Sequence, residues 1–304
     1  MKFTIFQDSR IGKRKSNQDR LAYSYSRDAL MMVVADGMGG HLHGEIAAQI
    51  AAQYITETFQ REAKPMLDDP FLFLSRTLTN AHHAIIDYSV EQGLEEAPRT
   101  TCVCCVVQDS VAYWAHAGDS RLYLLRSNRI LTMTHDHTRV QAMVDQGLIS
   151  AEEALHHPSR NRVYSCLGGT QSPQIDFSRK TPLKAGDTFL LCTDGVWGPL
   201  GDDLIVRGLT GVNLLQAVPR LMEQAETNGG ETADNLSAIA MVWQEDYDDG
   251  DTTLGVETQT MPLGAHTTTM EEFGRHRPPQ PDLTDDDIEK AIDEIRNAIE
   301  KYSK

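Results

Sequence analysis

The stretch LMMVVADGMGG, residues 30–40, constrains the fold more than any other part of the sequence. An apolar run over residues 29–35 ends directly at Asp36, and three glycines follow within four residues. A continuous apolar run of this length predicts a strand that is buried on both faces. A buried carboxylate without a partner is costly. The pattern therefore indicates either a site that binds something cationic or an aspartate in a surface turn.

The same arrangement recurs further along the chain. Residues 187–198, DTFLLCTDGVWG, place Asp194 and Gly195 directly after another apolar run. Three more aspartates lie at the edges of predicted strands, namely Asp19, Asp119 and Asp234. If these carboxylates converge, hard divalent cations such as Mg²⁺ or Mn²⁺ would offset their repulsion, because such ions bind carboxylate, carbonyl and water oxygens. The residues alone leave two alternatives, a divalent-metal site or ordinary turn aspartates.

Hydrophobic periodicity divides the first 245 residues into blocks of strands and blocks of helices. Helices are predicted over residues 43–60, 70–91 and 214–225, with a possible kink at Pro219. Strands are predicted over residues 29–35, 100–107, 111–117, 121–126, 188–192 and 235–243. Because strands and helices do not strictly alternate, an α+β fold with antiparallel sheets is favoured over a doubly wound parallel sheet.

The composition changes after residue 245. Residues 246–282 are rich in Thr, Asp, Gly and Pro and have little apolar periodicity, which predicts a flexible acidic linker. Thr258 and Thr260 in this stretch are candidate phosphorylation sites that could recruit a phosphothreonine-binding domain.

Residues 283–304 predict a C-terminal amphipathic helix. Thr284 is a suitable N-cap, and isoleucines then follow at alternating spacings of four and three. Such a helix is equally compatible with folding back on its own domain and with binding a partner. We therefore expect three parts, a catalytic domain over residues 1–245, a linker over 246–282 and a helix over 283–304.

Charge and cysteine content exclude some classes of function. The net charge of -16 argues against nucleic-acid binding and against docking on an anionic membrane surface. No apolar run is long enough to span a membrane, and the N-terminus does not resemble a signal peptide. The five cysteines include no CxxC pair, so we expect reduced thiols, most of them buried as small apolar residues, in a cytoplasmic protein.

Six fragments together resemble one known family. They are RKSNQDR, VVADGMGGHLHGE, AGDSRLY, THDHT, LLCTDGVW and DNLSAIAM, in this order. The chain is similar, over roughly residues 1–245, to the metal-dependent protein phosphatases of type 2C in their bacterial form. The resemblance implies an antiparallel β-sandwich flanked by helices on both sides, a four-layer α-β-β-α arrangement, with a two-metal centre at one edge.

The resemblance also implies a set of metal ligands. Asp36 would bridge two Mn²⁺ or Mg²⁺ ions, and the Gly37 carbonyl would bind one of them. Asp194 and Asp234 would hold the other ion. Asp119, together with Asp194, would bind a third and looser ion.

Two further residues belong to the implied catalytic apparatus. Asp19 would act through metal-bound water, and Arg14 would bind the substrate phosphate with its planar guanidinium. Some members of the family carry a histidine, proposed as a general acid, where this chain has Met38. Methionine donates no proton, so the identity of any general acid stays open, with His41 and His43 nearby in the sequence.

The implied function is hydrolysis of phosphoserine and phosphothreonine on proteins. Two ions would activate a water that attacks phosphorus in line, without a phosphoenzyme. The implied partners are phosphorylated proteins and a cognate serine/threonine kinase whose action the enzyme opposes. One alternative is a catalytically silent binding module with the same fold, which the presence of all four metal aspartates and Arg14 disfavours. Another is a hydrolase of small phosphate esters.

A flap is also implied, over residues 139–169. Ser150 and Glu153 in this stretch have the spacing of a helix capping box. The HDHT stretch, residues 135–138, resembles a metal cluster, but its position before the flap favours a structural role.

Overall fold

A computed structural model of the chain describes residues 1–38, 43–155, 157–211, 213–244, 256–258, 261–262 and 264–270. The helix predicted over residues 283–304 and the candidate phosphorylation site Thr260 lie outside these residues. The six α-helices of the described residues are α1 (Gly44–Glu62), α2 (Pro70–Glu91), α3 (Arg139–Asp145), α4 (Ala151–Leu155), α5 (Asp194–Leu209) and α6 (Leu214–Gly229).

The longer strands are β1 (Lys2–Arg10), β2 (Asp19–Tyr25), β3 (Ala29–Met38), β5 (Cys102–Gln108), β6 (Val111–Ala117), β7 (Arg121–Arg126), β8 (Arg129–Met133), β12 (Thr188–Cys192) and β13 (Leu236–Gln244). The short ones are β4 (Arg99–Thr100), β9 (Leu167–Gly168), β10 (Asp176–Phe177), β11 (Thr181–Pro182), β14 (Val256–Glu257) and β15 (Thr267–Met270). The predicted helices and strands of the first 245 residues are therefore confirmed to within a few residues at their ends.

The strands form two antiparallel sheets. One has the order β14-β1-β13-β12-β7-β8, and the main path of the other is β10-β6-β5-β3-β2-β15. Neighbouring strands in each sheet come from distant parts of the chain, as where β13 lies between β1 and β12. The ends of several strands that are far apart in sequence therefore meet at one edge of the sandwich.

Strand β3 shows how the layers pack. Its alternate residues Met31 and Val33 face a cluster formed with α1 and α2, whereas Leu30, Met32 and Val34 belong to a cluster shared with the other sheet. A third cluster joins the outer face of β7, β12 and β13 to α5 and α6. The result is a four-layer α-β-β-α sandwich, which confirms the predicted fold class.

Helix α5 is absent from the prediction. It begins at Asp194, directly after β12, and is interrupted at Gly201, which has φ 67° and ψ 168°. Glycines and Pro199 lower the helix propensity of this segment, so its sequence did not indicate a helix. Helix α6 contains Pro219 and continues past it to Gly229, so the proline does not interrupt the helix.

Two segments of the predicted linker are strands of the sheets. Val256–Glu257 pairs with β1, and Thr267–Met270 pairs with β2. The expectation of a flexible linker is therefore wrong for these residues. Backbone pairing can hold a polar segment that shows no apolar periodicity, which is why the composition was misleading.

Thr258 is buried next to the first of these strands. Its hydroxyl lies 3.0 Å from the Met1 carbonyl oxygen and 2.7 Å from the Arg27 carbonyl oxygen. A phosphate on this hydroxyl would have to displace both contacts and enter the interior. The hypothesis of phosphorylation at Thr258 is therefore wrong for the folded chain.

None of the helices in the described residues is long and apolar enough to cross a membrane. All five cysteines are unpaired, and four of them are buried. Burial raises the pKa of the Cys102 thiol to about 12. These thiols therefore pack as apolar groups, as the sequence predicts.

Candidate active site

Strands β2 and β3 place two of the predicted site residues directly opposite each other. Asp19 at the start of β2 pairs in register with Asp36 near the end of β3. Like charges at opposed positions of an antiparallel pair are destabilising. The sheet register therefore places two negatively charged side chains opposite each other at one edge of the sandwich. Asp19 is also buried, which strengthens the repulsion between them.

The backbone around Asp36 is held from two sides. The Asp36 N–H donates to Thr101 Oγ1 at 3.1 Å, and the Asp36 carbonyl accepts from the Thr101 N–H at 2.9 Å. On the other side, a Cβ on Gly37 would lie 2.3 Å from the Gly44 carbonyl oxygen. Only glycine allows the start of α1 to approach β3 so closely.

The second pair of aspartates comes from the neighbouring sheet. Asp194 is the first residue of α5, directly after β12, and Asp234 precedes β13, which pairs with β12. The two segments touch at Gly195, where a Cβ would lie 2.0 Å from the Asn235 carbonyl oxygen. This contact brings the two carboxylates to the same crevice.

Asp119 completes the group from the turn between β6 and β7. Its carboxylate is buried, and its carbonyl accepts a hydrogen bond of 2.9 Å from Trp197 Nε1 of α5. Arg121 stacks on the Trp197 ring at 3.5 Å and binds Asp136 through two hydrogen bonds of 2.9 and 2.8 Å. The turn is thus fixed against the start of α5.

Arg14 lies across the mouth of the crevice. Its guanidinium donates two hydrogen bonds of 2.6 Å to Asp234, one to each carboxylate oxygen, and this interaction raises the pKa of Arg14. The loop that carries Arg14 is held by Asn235, whose Nδ2 donates to the carbonyls of Ile11 and Ser16 at 2.9 Å.

The pKa values show that the carboxylates interact. Burial and then the charge of Asp19 raise the pKa of Asp36 well above its usual range, with further contributions from Asp194, Asp119 and Asp234. Burial and then Asp234 raise the pKa of Asp194 to about 6. The carboxylates of Asp36, Asp119 and Asp194 therefore lie close enough to repel one another, which disfavours the interpretation as independent turn residues.

One buried acceptor atom in this group has no hydrogen-bond partner among the described residues. Asp19 Oδ2 accepts from the Thr193 hydroxyl at 2.9 Å, whereas its buried Oδ1 has no hydrogen-bond partner among the described residues. Burial raises the pKa of Asp19 to about 7, and hydrogen bonds from Ser237 and Thr193 counteract part of that effect. Repelling carboxylates and an unsatisfied oxygen fit a site for hard divalent cations or the water around them.

The comparisons with known proteins agree with this geometry. The sequence model of the family described as protein phosphatase 2C matches residues 6–239. The chain belongs to this family. The predicted membership is therefore confirmed.

Similarity to individual serine/threonine phosphatases extends across the sandwich. The chain is 32% identical over 242 residues to the serine/threonine protein phosphatase PstP of Mycobacterium tuberculosis, a match that covers 79% of this chain and 45% of PstP. It is 27% identical to the serine/threonine phosphatase stp of Listeria monocytogenes, covering 77% of this chain and 93% of that protein. The chain therefore spans less than half the length of PstP.

A solved structure of a relative contains the metal that the resemblance implies. The catalytic domain of PstP in complex with two manganese ions has a TM-score of 0.69 and 29% sequence identity to this chain. The match covers 80% of this chain and 99% of that structure. It supports the prediction of a Mn²⁺- or Mg²⁺-dependent member of the 2C family.

Some residues of this 2C-type centre were not predicted. Thr193 is both the N-cap residue of α5 and the hydrogen-bond donor to Asp19, and Asn235 holds the loop of Arg14. Both directly adjoin a predicted metal aspartate in the sequence. Their roles depend on contacts with residues about 170 and 220 positions away in the chain. Their position next to a predicted metal aspartate was therefore the one sequence feature that could have indicated them.

The HDHT stretch does not act as a unit. Asp136 binds Arg121, and His135 lies at the surface 3.1 Å from Asp145. His137 turns the other way and stacks on His116. The expected structural role is confirmed for Asp136, whereas His137 belongs to a separate cluster described below.

The predicted flap region contains two short helices, α3 and α4. The capping box is confirmed, because the Ser150 N–H donates to Glu153 Oε2 at 2.7 Å and the Glu153 N–H donates to Ser150 Oγ at 3.1 Å. Of the two histidines considered as general acids, His41 lies outside the described residues, and His43 precedes α1.

Proposed function

We propose that this chain is a Mn²⁺- or Mg²⁺-dependent phosphatase that hydrolyses phosphoserine and phosphothreonine in proteins. The observation that carries the proposal is the convergence of five aspartates from β2, β3, the β6–β7 turn, the start of α5 and the start of β13, with Arg14 at the mouth. The relatives that are named serine/threonine phosphatases support it.

The two sheets supply different ligands. Asp36 and the Gly37 carbonyl from one sheet, with Asp194 and Asp234 from the other, would hold two ions, and Asp119 would contribute to a third. When bound, such ions lower the pKa of a coordinated water and neutralise charge on the phosphoryl oxygens. All of these ligands are oxygens, which suits Mg²⁺ and Mn²⁺.

The raised pKa values of the aspartates affect metal binding. A carboxyl group has to lose its proton before it binds a cation, so the affinity for the ions increases with pH where these groups titrate. Burial raises the pKa of Asp119 well above its usual range, as it does for Asp36. We therefore propose that the apparent metal affinity increases as the pH rises through about 6, the pKa to which burial and Asp234 raise Asp194.

Arg14 is placed to bind the phosphoryl group. Its side chain is 58% exposed, and its fork matches the spacing of phosphoryl oxygens. In the described structure both Asp234 oxygens accept from this fork. Binding of a cation by Asp234 would weaken that ion pair, which would leave the guanidinium available to the substrate.

The wider setting is also a proposal. We propose that the substrates are proteins phosphorylated by a serine/threonine kinase, and that the chain acts in bacterial signalling in the cytoplasm. The relatives that are named serine/threonine phosphatases support this class of substrate.

The test is phosphate release from a phosphothreonine peptide with and without Mn²⁺. We expect turnover that requires the ion and falls about 100-fold or more in Asp194→Asn, because loss of a direct ligand should cost at least as much as loss of a supporting hydrogen bond. Asp203→Asn is a matched control, since Asp203 is also in α5 but its side chain is 95% exposed.

Two outcomes would contradict the proposal. Turnover that is independent of Mn²⁺ and unchanged in Asp194→Asn would exclude the metal mechanism. A small chromogenic phosphate ester that is hydrolysed efficiently, together with phosphopeptides that are not, would instead indicate a hydrolase of small esters.

A further inference from the structure

A second group of potential metal ligands lies outside the aspartate crevice. It consists of His116 at the end of β6, His137 after β8, and Asp176 at the start of β10. One ligand atom from each lies within 4.8 Å of the other two. Both histidines are almost fully buried, at 4% and 1% exposure.

The hydrogen bonds of His116 define which ring nitrogen is free. Its Nε2 lies 2.8 Å from the His135 carbonyl oxygen, and a carbonyl only accepts, so the proton is on Nε2. Burial lowers the pKa of His116, which favours the neutral ring. Nδ1 is therefore unprotonated and carries a lone pair. This atom is buried and has no hydrogen-bond partner in the described part of the chain. Leaving a buried acceptor of this kind without a hydrogen bond is energetically unfavourable.

The remaining two ligand atoms already have a suitable separation. His137 Nε2 lies 3.2 Å from Asp176 Oδ2. Tetrahedral zinc with bonds of 2.0–2.1 Å separates neighbouring ligand atoms by about 3.3 Å. The hydrogen bond from His116 Nε2–H to a backbone carbonyl is also the kind of outer contact that orients a metal-binding imidazole.

We propose that His116 Nδ1, His137 Nε2 and the Asp176 carboxylate form a binding site for Zn²⁺, separate from the aspartate centre. Two imidazole nitrogens and one carboxylate suit zinc, whereas the oxygen-only aspartate centre suits Mg²⁺ or Mn²⁺. A cavity of about 430 Å³, lined in part by Trp114, His116 and Asp176, reaches two of the three ligands and has room for a fourth, non-protein ligand.

Zinc binding has an identifiable cost. His137 Nδ1 accepts a hydrogen bond of 3.2 Å from the Gly118 N–H, so the neutral ring carries its proton on Nε2. An ion on Nε2 requires that proton to leave and another to bind Nδ1, which then faces the Gly118 N–H. Occupancy therefore breaks the hydrogen bond to Gly118. We expect weaker binding than at a closed structural zinc site, and a coupling to the turn that carries Asp119.

The test is a metal count on the full chain, equilibrated with Zn²⁺ in slight molar excess over the chain and with a large excess of Mg²⁺, which occupies the oxygen-rich centre. Elemental analysis should find one zinc per chain. His116→Gln and Asp176→Asn should each weaken zinc binding at least about tenfold, as expected for loss of a ligand. His83→Gln, at an exposed histidine of α2, should leave it unchanged.

Asp36→Asn distinguishes between the two metal sites in this experiment. It removes a ligand from the aspartate crevice and should leave the proposed zinc in place. Anomalous diffraction at the zinc edge from crystals of the unmodified chain should place the ion between His116, His137 and Asp176, and it does not depend on a variant that folds. Zinc counts unaffected by His116→Gln and Asp176→Asn, or an anomalous peak confined to the aspartate crevice, would overturn the proposal. Neither readout requires phosphatase activity.

Discussion

At the scale of single residues, Arg14 lies at the mouth of the crevice with an exposed side chain. Replacing it with alanine should lower kcat/KM for a phosphopeptide by about 10- to 100-fold, because charge-assisted hydrogen bonds contribute about 1.5–3 kcal/mol. Arg14→Lys keeps the charge but not the planar fork, so it should recover a part of that loss. Steady-state kinetics at saturating Mn²⁺ measures both.

The matched control for this prediction is Lys15→Ala. Lys15 is also exposed, in the same loop, and it is not part of the proposed site. Its removal should leave kcat/KM unchanged. Wild-type kinetics in Arg14→Ala would show that the guanidinium does not contact the phosphate.

A second residue-scale prediction concerns the stability of the metal-free protein. Burial raises the pKa of Asp19 to about 7 and that of Asp194 to about 6, whereas aspartates of an unfolded chain titrate near 3.9. The contribution of these groups to the free energy of unfolding is fully present below about pH 4 and is lost as the pH rises to about 7. The reason is that the folded state binds more protons than the unfolded state in that range.

Asp19→Asn should remove part of this pH dependence. The free energy of unfolding, from urea denaturation in EDTA, should fall less steeply between about pH 4 and pH 7 in the variant than in the unmodified chain. Added Mn²⁺ should stabilise the protein more at the upper end of the range, where the ligands are ionised. A variant with the same profile as the unmodified chain would contradict the role of buried charge at Asp19.

At the scale of elements, the contact between α5 and β13 decides whether Asp194 and Asp234 meet. Gly195→Ala places a methyl group where the Asn235 carbonyl oxygen lies, so we expect a loss of more than about 2 kcal/mol in unfolding free energy and a large loss of turnover. Chemical denaturation and the Mn²⁺-dependent phosphopeptide assay measure the two effects.

Gly198 offers a control in the same helix, because no described atom lies within 4 Å of a Cβ built there. Gly198→Ala should be neutral or stabilise the chain by up to about 1 kcal/mol through helix propensity. If both alanine variants behave alike, the close approach at Gly195 does not position the site.

At the scale of the whole molecule, the strands after residue 245 should matter for stability and not for chemistry. A chain ending at Gln244 loses β14, β15 and the buried Thr258, whereas one ending at Met270 keeps them. We expect the shorter chain to unfold at a lower temperature while both retain Mn²⁺-dependent phosphopeptide turnover. Equal melting temperatures would show that these strands contribute little to stability.

The sequence by itself determined most of the strands and longer helices and the aspartates as candidate metal ligands, whereas the layers of the sandwich were implied by the resemblance to the family. Apolar runs such as residues 29–35 and the helical spacing over residues 70–91 are local, and burial follows from them directly. The termination of strands at Asp36 and Asp194 beside glycine was likewise visible in a few adjacent residues. Local patterns of this kind predict elements and chemistry because their physical cause acts over a few residues.

The tertiary structure alone decided which of these strand ends meet. That Asp19 faces Asp36, that Gly195 rests on Asn235, and that residues 267–270 add a strand beside β2 all follow from register and packing between distant segments. His116 and Asp176 have no local signal, since each is one polar residue in a strand until pairing brings them to His137. Contacts of this kind depend on the free energy of the whole chain, which no short stretch of sequence encodes.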